Sequence, residues 1–197
     1  MQSLSSKLLA RVVELYTNEG VISVELYDDD APRTAESFFR LACSGQLDGA
    51  VFSRMIPGFV LECSLDNVPL YGELFEPERN KKLHHTGAGI LCCFHPRGDV
   101  STEKKFFITL GPQPQLDDLC TIFGRVCSGM HVVEKISKFR VVNESFRLYT
   151  PVVLKRCVVR VLPKETRPYA LNDLPVKNAP RLQQRADAKS SLLNNLE

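Results

Sequence analysis

Phe52-Ser53-Arg54-Met55-Ile56-Pro57-Gly58-Phe59 is the stretch on which the reading of the fold turns. It sets one cation among large apolar side chains and runs into Pro57-Gly58, a pair that bends the chain. The spacing predicts two short extended pieces within residues 50–61, hinged at that pair. On strict strand alternation Phe52, Arg54 and Ile56 share one face, which puts a guanidinium on an apolar floor. By spacing alone, the same pattern also fits a surface arginine flanked by core residues.

Upstream, Arg11-Val12-Val13-Glu14-Leu15-Tyr16 and Gly20-Val21-Ile22-Ser23-Val24-Glu25-Leu26-Tyr27 alternate and are rich in β-branched residues. Thr17-Asn18-Glu19 between them is turn chemistry, so the two runs predict a hairpin. Asp30-Ala31-Pro32 then opens a helix, with an acid near the cap and proline in the first turn. Ala35, Phe38, Phe39 and Ala42 recur at helical spacing, and Gly45 is the expected stop.

Downstream, a glycine-rich approach from His85 leads into an apolar strand, Ile90 to Cys93. Further strands are expected at Phe106-Phe107-Ile108-Thr109-Leu110, at Thr121-Ile122-Phe123-Gly124-Arg125-Val126 and from Pro151 to Leu162. Met130 to Ser137 predicts a second helix with Val133 and Ile136 inward. Many strands with two helices far apart in the chain predict a mainly β fold: a closed antiparallel barrel capped by helices. No internal repeat is present.

The chain divides into a short N-terminal extension (residues 1–9), a β domain (residues 10–162) and a tail (residues 163–197). In the tail, Pro163, Pro168, Pro175 and Pro180 break up a polar segment, which favours an extended path or an arm that orders on a partner. The formal net charge of +2 on 197 residues gives no general field toward nucleic acid. No run approaches the length of a membrane span, and the apolar run at the N-terminus is too short for a signal peptide. The seven cysteines are odd in number and irregular in spacing, which predicts reduced thiols and an intracellular, cytoplasmic or nuclear setting.

No nucleophilic triad and no phosphate-cradling glycine loop appears. His84-His85 and Cys92-Cys93 are adjacent pairs, and neighbours on an extended chain point to opposite faces. Neither is expected to clamp a metal ion.

The run from Phe52 to Phe59 resembles the signature Phe-His-Arg-x-Ile-Pro-Gly-Phe of the cyclophilins, the cyclosporin-binding peptidyl-prolyl isomerases. Asp30-Ala31-Pro32-Arg33-Thr34-Ala35-Glu36-Ser37-Phe38 resembles the family's first helix, and Tyr71-Gly72-Glu73-Leu74-Phe75-Glu76 its Tyr-Gly-x-x-Phe stretch. His85-Thr86-Gly87-Ala88-Gly89-Ile90-Leu91, Phe106-Phe107-Ile108-Thr109, Leu116-Asp117, Phe123-Gly124-Arg125-Val126 and Gly129-Met130 follow in the same order. The resemblance covers residues 10–161, and it is the collinearity of modest motifs that makes it specific. It implies an eight-stranded antiparallel barrel with a helix at each end. It also implies cis–trans isomerisation of X–Pro bonds in proline-containing proteins or peptides, a reaction that needs no cofactor and no metal.

By that resemblance Arg54 is the catalytic donor. Phe59 and Phe107 are aromatic walls of a proline pocket, and Leu116 is a further apolar wall. The departures cluster on the same groove. Val60 replaces a methionine, Glu62 a glutamine that orients the arginine, and Cys120 a histidine. Phe94 begins a stretch where the family keeps small residues, and it is expected to crowd the groove. Lys105 stands for a glutamine, and Gln115 for the tryptophan important to cyclosporin, so weak cyclosporin binding is expected. Glu62 is expected to pair with Arg54 and draw it from the substrate. The implied function is therefore a peptidyl-prolyl isomerase with activity weak or lost. The alternative is a non-catalytic scaffold or proline-peptide-binding subunit of a larger assembly, joined through the C-terminal tail.

Overall fold

The alternating residues before Asp28 form the expected hairpin, β1 (Leu9–Thr17) and β2 (Val21–Leu26). Val13, Leu15, Ile22 and Val24 turn inward and are fully buried. Thr17 seals the turn: its hydroxyl donates to the Gly20 carbonyl at 2.7 Å and accepts from the Glu19 N–H at 3.0 Å. The computed structural model describes residues 9–65, 77–94, 105–117 and 119–163. The Tyr71 to Glu76 motif, the charged segment 95–104 and all of the tail after Pro163 lie outside these residues.

Six more strands follow: β3 (Val51–Ile56), β4 (Val60–Ser64), β5 (Ala88–Phe94), β6 (Lys105–Leu110), β7 (Cys120–Ser128) and β8 (Arg147–Pro163). They close in the order β1-β2-β7-β5-β6-β4-β3-β8, each pair antiparallel. The expected eight-stranded barrel is thus present. β8 starts at Arg147 rather than Pro151, because its first half pairs with β3 and its second half with β1. Pro151 occupies an exposed position inside that strand. Closure leaves no edge for another chain to pair with.

Helix α1 (Pro32–Cys43) drops Phe38 into the interior, edge-on to Phe106 at 5.2 Å between ring centroids and 5.4 Å from Phe123. Phe52 completes the cluster against Phe106 at 5.8 Å. The first turn of α1 has no cap from its own acids. Instead Glu78 reaches back: one carboxylate oxygen accepts the Arg33 N–H at 2.9 Å and the other the Thr34 N–H at 2.8 Å. Such a cap contributes about 1 kcal/mol and places a negative charge at the positive end of the helix. Gly45 ends this helix region at φ 71°, as expected.

Helix α2 (Met130–Ile136) buries Val132, Val133 and Ile136 in the same interior cluster. It starts on Gly129 at φ 81°, where a Cβ would lie 2.2 Å from the Val21 carbonyl oxygen. Only glycine fits there.

β3 departs from strict alternation. Phe52 pairs with Cys63, and Arg54 pairs with Glu62, so one extra residue, Ser53, is bulged out of the ladder. Phe52 is fully buried in the barrel interior, whereas Ile56 belongs to a second apolar cluster with Phe59 and Val60. The expectation that Phe52, Arg54 and Ile56 share a face is therefore corrected. The bulge breaks the period, and only Arg54 and Ile56 lie on the outer wall.

Candidate active site

Residues that alternate with the interior build the outer wall. Register places Arg54, Glu62, Phe107, Cys92 and Ile122 in one row across β3, β4, β6, β5 and β7. Around this row Ile56, Phe59, Val60, Cys92, Leu116, Cys120 and Ile122 form a buried apolar cluster apart from the barrel core. Phe94 and Phe107 are half-buried and pack against it. All the apolar site residues expected from sequence thus meet here: Phe59, Val60, Phe94, Phe107, Leu116 and Cys120.

The floor is held by the two turns beside it. The Gln113 side chain donates to the Gly58 carbonyl at 2.8 Å, and the Leu110 N–H donates to the Phe59 carbonyl at 2.8 Å. Gln115 spends its amide on the Gln113 side-chain oxygen at 2.5 Å, so it braces the framework.

Beside the apolar cluster lies a polar depression of about 330 Å³. Arg54 and Glu62 line it together with Lys105, Ser53 and Ser64, with Glu144 and Ser145 from the turn before β8, and with Arg147 at the start of β8. Glu144 and Phe146 take φ values of 71° and 54°, left-handed conformations that are unfavourable without glycine. That turn sets the Phe146 carbonyl on the Met55 N–H at 2.9 Å and its ring against the apolar cluster.

The expected pairing of Glu62 with Arg54 takes a loose form. Arg54 Nη1 stands 3.8 Å from Glu62 Oε2, beyond hydrogen-bonding distance, while Lys105 Nζ stands 3.2 Å from Glu62 Oε1. Among the described residues Arg54 makes no hydrogen bond through its guanidinium.

A third grouping joins the approach to β5 with the turn holding Leu116. Asp117 accepts from His85 through both its N–H, at 2.9 Å, and its ring Nδ1, at 2.7 Å. The His84 ring Nδ1 lies 3.0 Å from the other carboxylate oxygen. These adjacent histidines were expected to diverge. They converge because residues 81–87 are not in a regular strand. Burial pushes the His85 imidazole below its usual value, with Asp117 opposing. Burial works against ionisation of Asp117 too, but the hydrogen bonds from His85 and His84 outweigh it and hold its carboxyl below the usual value.

Several site residues were not anticipated. Ile56, Cys92 and Ile122 complete the apolar cluster. Alternation could have found the last two, since Cys92 sits between inward Leu91 and Cys93, and Ile122 precedes inward Phe123. Glu144, Ser145 and Arg147 carried no local signal, because the pairing of β8 with β3 brings them in.

Residues 12–159 match the family described as "Cyclophilin type peptidyl-prolyl cis-trans isomerase/CLD". Peptidyl-prolyl cis-trans isomerase ppi1 of Schizosaccharomyces pombe is 40% identical over 152 residues, covering 74% of this chain and 97% of that protein. Peptidyl-prolyl cis-trans isomerase CYP18-2 of Arabidopsis thaliana is 37% identical over 153 residues, covering 75% of this chain and 93% of that protein. A crystal structure of a cyclophilin type peptidyl-prolyl cis-trans isomerase from Cryptosporidium parvum superimposes with a TM-score of 0.69 at 24% identity, over 78% of this chain and 99% of that one. That last likeness bears on the fold alone.

Proposed function

Because the chain belongs to the cyclophilin family of peptidyl-prolyl cis-trans isomerases, we propose that it isomerises X–Pro bonds with a reduced but real activity, using Arg54 as its catalytic donor. The barrier to be lowered is about 18–20 kcal/mol, set by the partial double bond of the amide. As the bond twists, resonance is lost and the prolyl nitrogen gains a lone pair. An arginine N–H that donates to that nitrogen binds the twisted amide better than either planar form, and only such differential binding accelerates the step. The proline ring would rest on Phe59, Val60, Phe107, Leu116 and Cys120, which exclude water from the reacting amide.

The observation that carries this reading is the state of Arg54. It heads the row that runs into the apolar cluster, and its guanidinium stays out of hydrogen-bonding range of Glu62. Phe94 supports the reduced rate, since its ring packs on the cluster where substrate would sit. The same observation favours a second reading, a module that holds a proline peptide without turning it over. Gln115, tied to Gln113, supports weak cyclosporin binding. A larger assembly reached through residues 163–197 and a cytoplasmic or nuclear location belong to the same proposal. Two facts fit such a location: no disulfide joins the seven cysteines, and among the described residues no helix is long and apolar enough to cross a membrane.

The test is isomerisation of a proline tetrapeptide, followed by exchange NMR. Arg54→Ala is expected to lower kcat/KM on the order of 100-fold. Equal rates for wild type and variant, both at background, would leave only the binding module.

A further inference from the structure

We propose that Lys105 is a positioning residue of this site: by holding Glu62, it keeps Arg54 available to the substrate amide. The inference rests on the isomerase reading and adds a residue that acts through another.

The argument begins with register. On β6, Lys105 and Phe107 are two apart and share the outer face. Glu62 pairs directly with Phe107, and Ser64 with Lys105, so Lys105 is a diagonal neighbour of Glu62 within reach of a long side chain. On its other side Glu62 pairs directly with Arg54. One carboxylate therefore stands between two cations on neighbouring strands.

Burial makes the choice of partner matter. The Glu62 side chain is 12% exposed, so little water is left to solvate its charge. A carboxylate so placed needs a close countercharge. Lys105 supplies the nearest cation, in an ion pair at 3.2 Å to Oε1. Arg54 faces Oε2 at 3.8 Å and forms neither a single bond nor the two-pronged bond in which arginine is strongest. Lys105 is the more exposed of the two cations at 48%, against 20% for Arg54, so its ammonium meets Glu62 from the solvent side.

Removing the ammonium changes the balance. Glu62 would keep its charge and its burial, with Arg54 as its paired neighbour across the strand. The guanidinium would rotate onto it, and the donor that the twisted amide needs would be consumed. Neutralising Glu62 as well would remove the cause. The expected result is thus a coupling between two positions, which simple loss of a surface lysine would not produce.

The experiment uses the full chain with Lys105→Met, Glu62→Gln and the double variant. For Lys105→Met, kcat/KM on the proline tetrapeptide is expected to fall by about ten- to a hundredfold, with the thermal midpoint held. The double variant is expected to return to the rate of Glu62→Gln alone. A Lys105→Met rate equal to wild type, or a double variant as slow as Lys105→Met, overturns the proposal. A second measurement does not depend on turnover: rotation of the Arg54 guanidinium, followed through its nitrogen resonances in the free protein. It should slow in Lys105→Met and recover in the double variant, and unchanged rotation overturns the clasp. Background activity in the wild type would sink the isomerase reading separately, while the resonances still decide whether Lys105 keeps Glu62 from Arg54.

Discussion

The barrel interior and the apolar patch on its outer wall are made from the same strands, one residue apart. Phe106 is fully buried among Phe38 and Phe52, while Phe107 faces outward beside Glu62 and Cys92. Leu61 points in and Val60 out; Phe123 points in and Ile122 out. The interior keeps the residue types of a conventional core. The outer wall holds the residues that the sequence reading sets apart from the family's pattern: Glu62, Phe94, Lys105 and Cys120. What differs between the two regions is the constraint. An inward side chain meets close-packed neighbours on every side, and an outward one meets a surface that can be refitted piece by piece.

The most forceful way to break that contrast is to truncate neighbours. Phe106→Ala is expected to lower the unfolding free energy by about 3–5 kcal/mol. Phe107→Ala should lower it by only about 1–2 kcal/mol while stripping a wall from the proline pocket. Urea unfolding and peptide isomerisation, measured on both variants, test this. Equal stability losses would show that the two clusters are one.

A smaller effect is expected on the outer wall alone. Phe94→Ala should raise kcat/KM by a few-fold, because the ring packs where substrate would sit. An unchanged or lower rate would mean that Phe94 is part of the pocket rather than an obstruction in it.

The smallest effect concerns the frame between the two regions. His85 is buried, and that burial holds its imidazole below the ordinary histidine range. The unfolded chain therefore takes up this proton first as pH falls. The stabilisation is whole above about pH 6.5 and drains as pH drops through the lower folded value. Asp117, held low as well, adds a loss in the same direction at more acidic pH. Unfolding free energies measured from about pH 7.5 to pH 5 should decline, and His85→Asn should flatten the upper part of that slope.

The strands were legible because each has one face in a dry core, so period-two patterning survives in the residues themselves. Leu15, Ile22, Phe106 and Phe123 announce their direction. The apolar half of the site was legible for the same reason, aided by the family resemblance. Three things were not. The bulge at Ser53 adds one residue without any compositional mark. The cap on α1 comes from Glu78, 44 positions beyond the Thr34 N–H it receives. The partner that holds Glu62 is on another strand, so the sequence showed Lys105 as an oddity and Glu62 as an obstacle, with nothing to join them.

The bulge has one more consequence. It acts as a phase shifter in β3: the even-numbered Phe52 before Ser53 faces the barrel interior, and the even-numbered Arg54 and Ile56 after it face the outer wall. Most substitutions in the strand alter one position. Deleting residue 53 would leave Phe52 and Arg54 adjacent opposite Cys63 and Glu62, straightening the strand while keeping every inward and outward face, whereas deleting Met55 would turn Ile56 toward the dry core. Where the strand loses a residue thus matters as much as which side chain is lost. A one-residue deletion at Met55 should therefore be worse tolerated than one at Ser53.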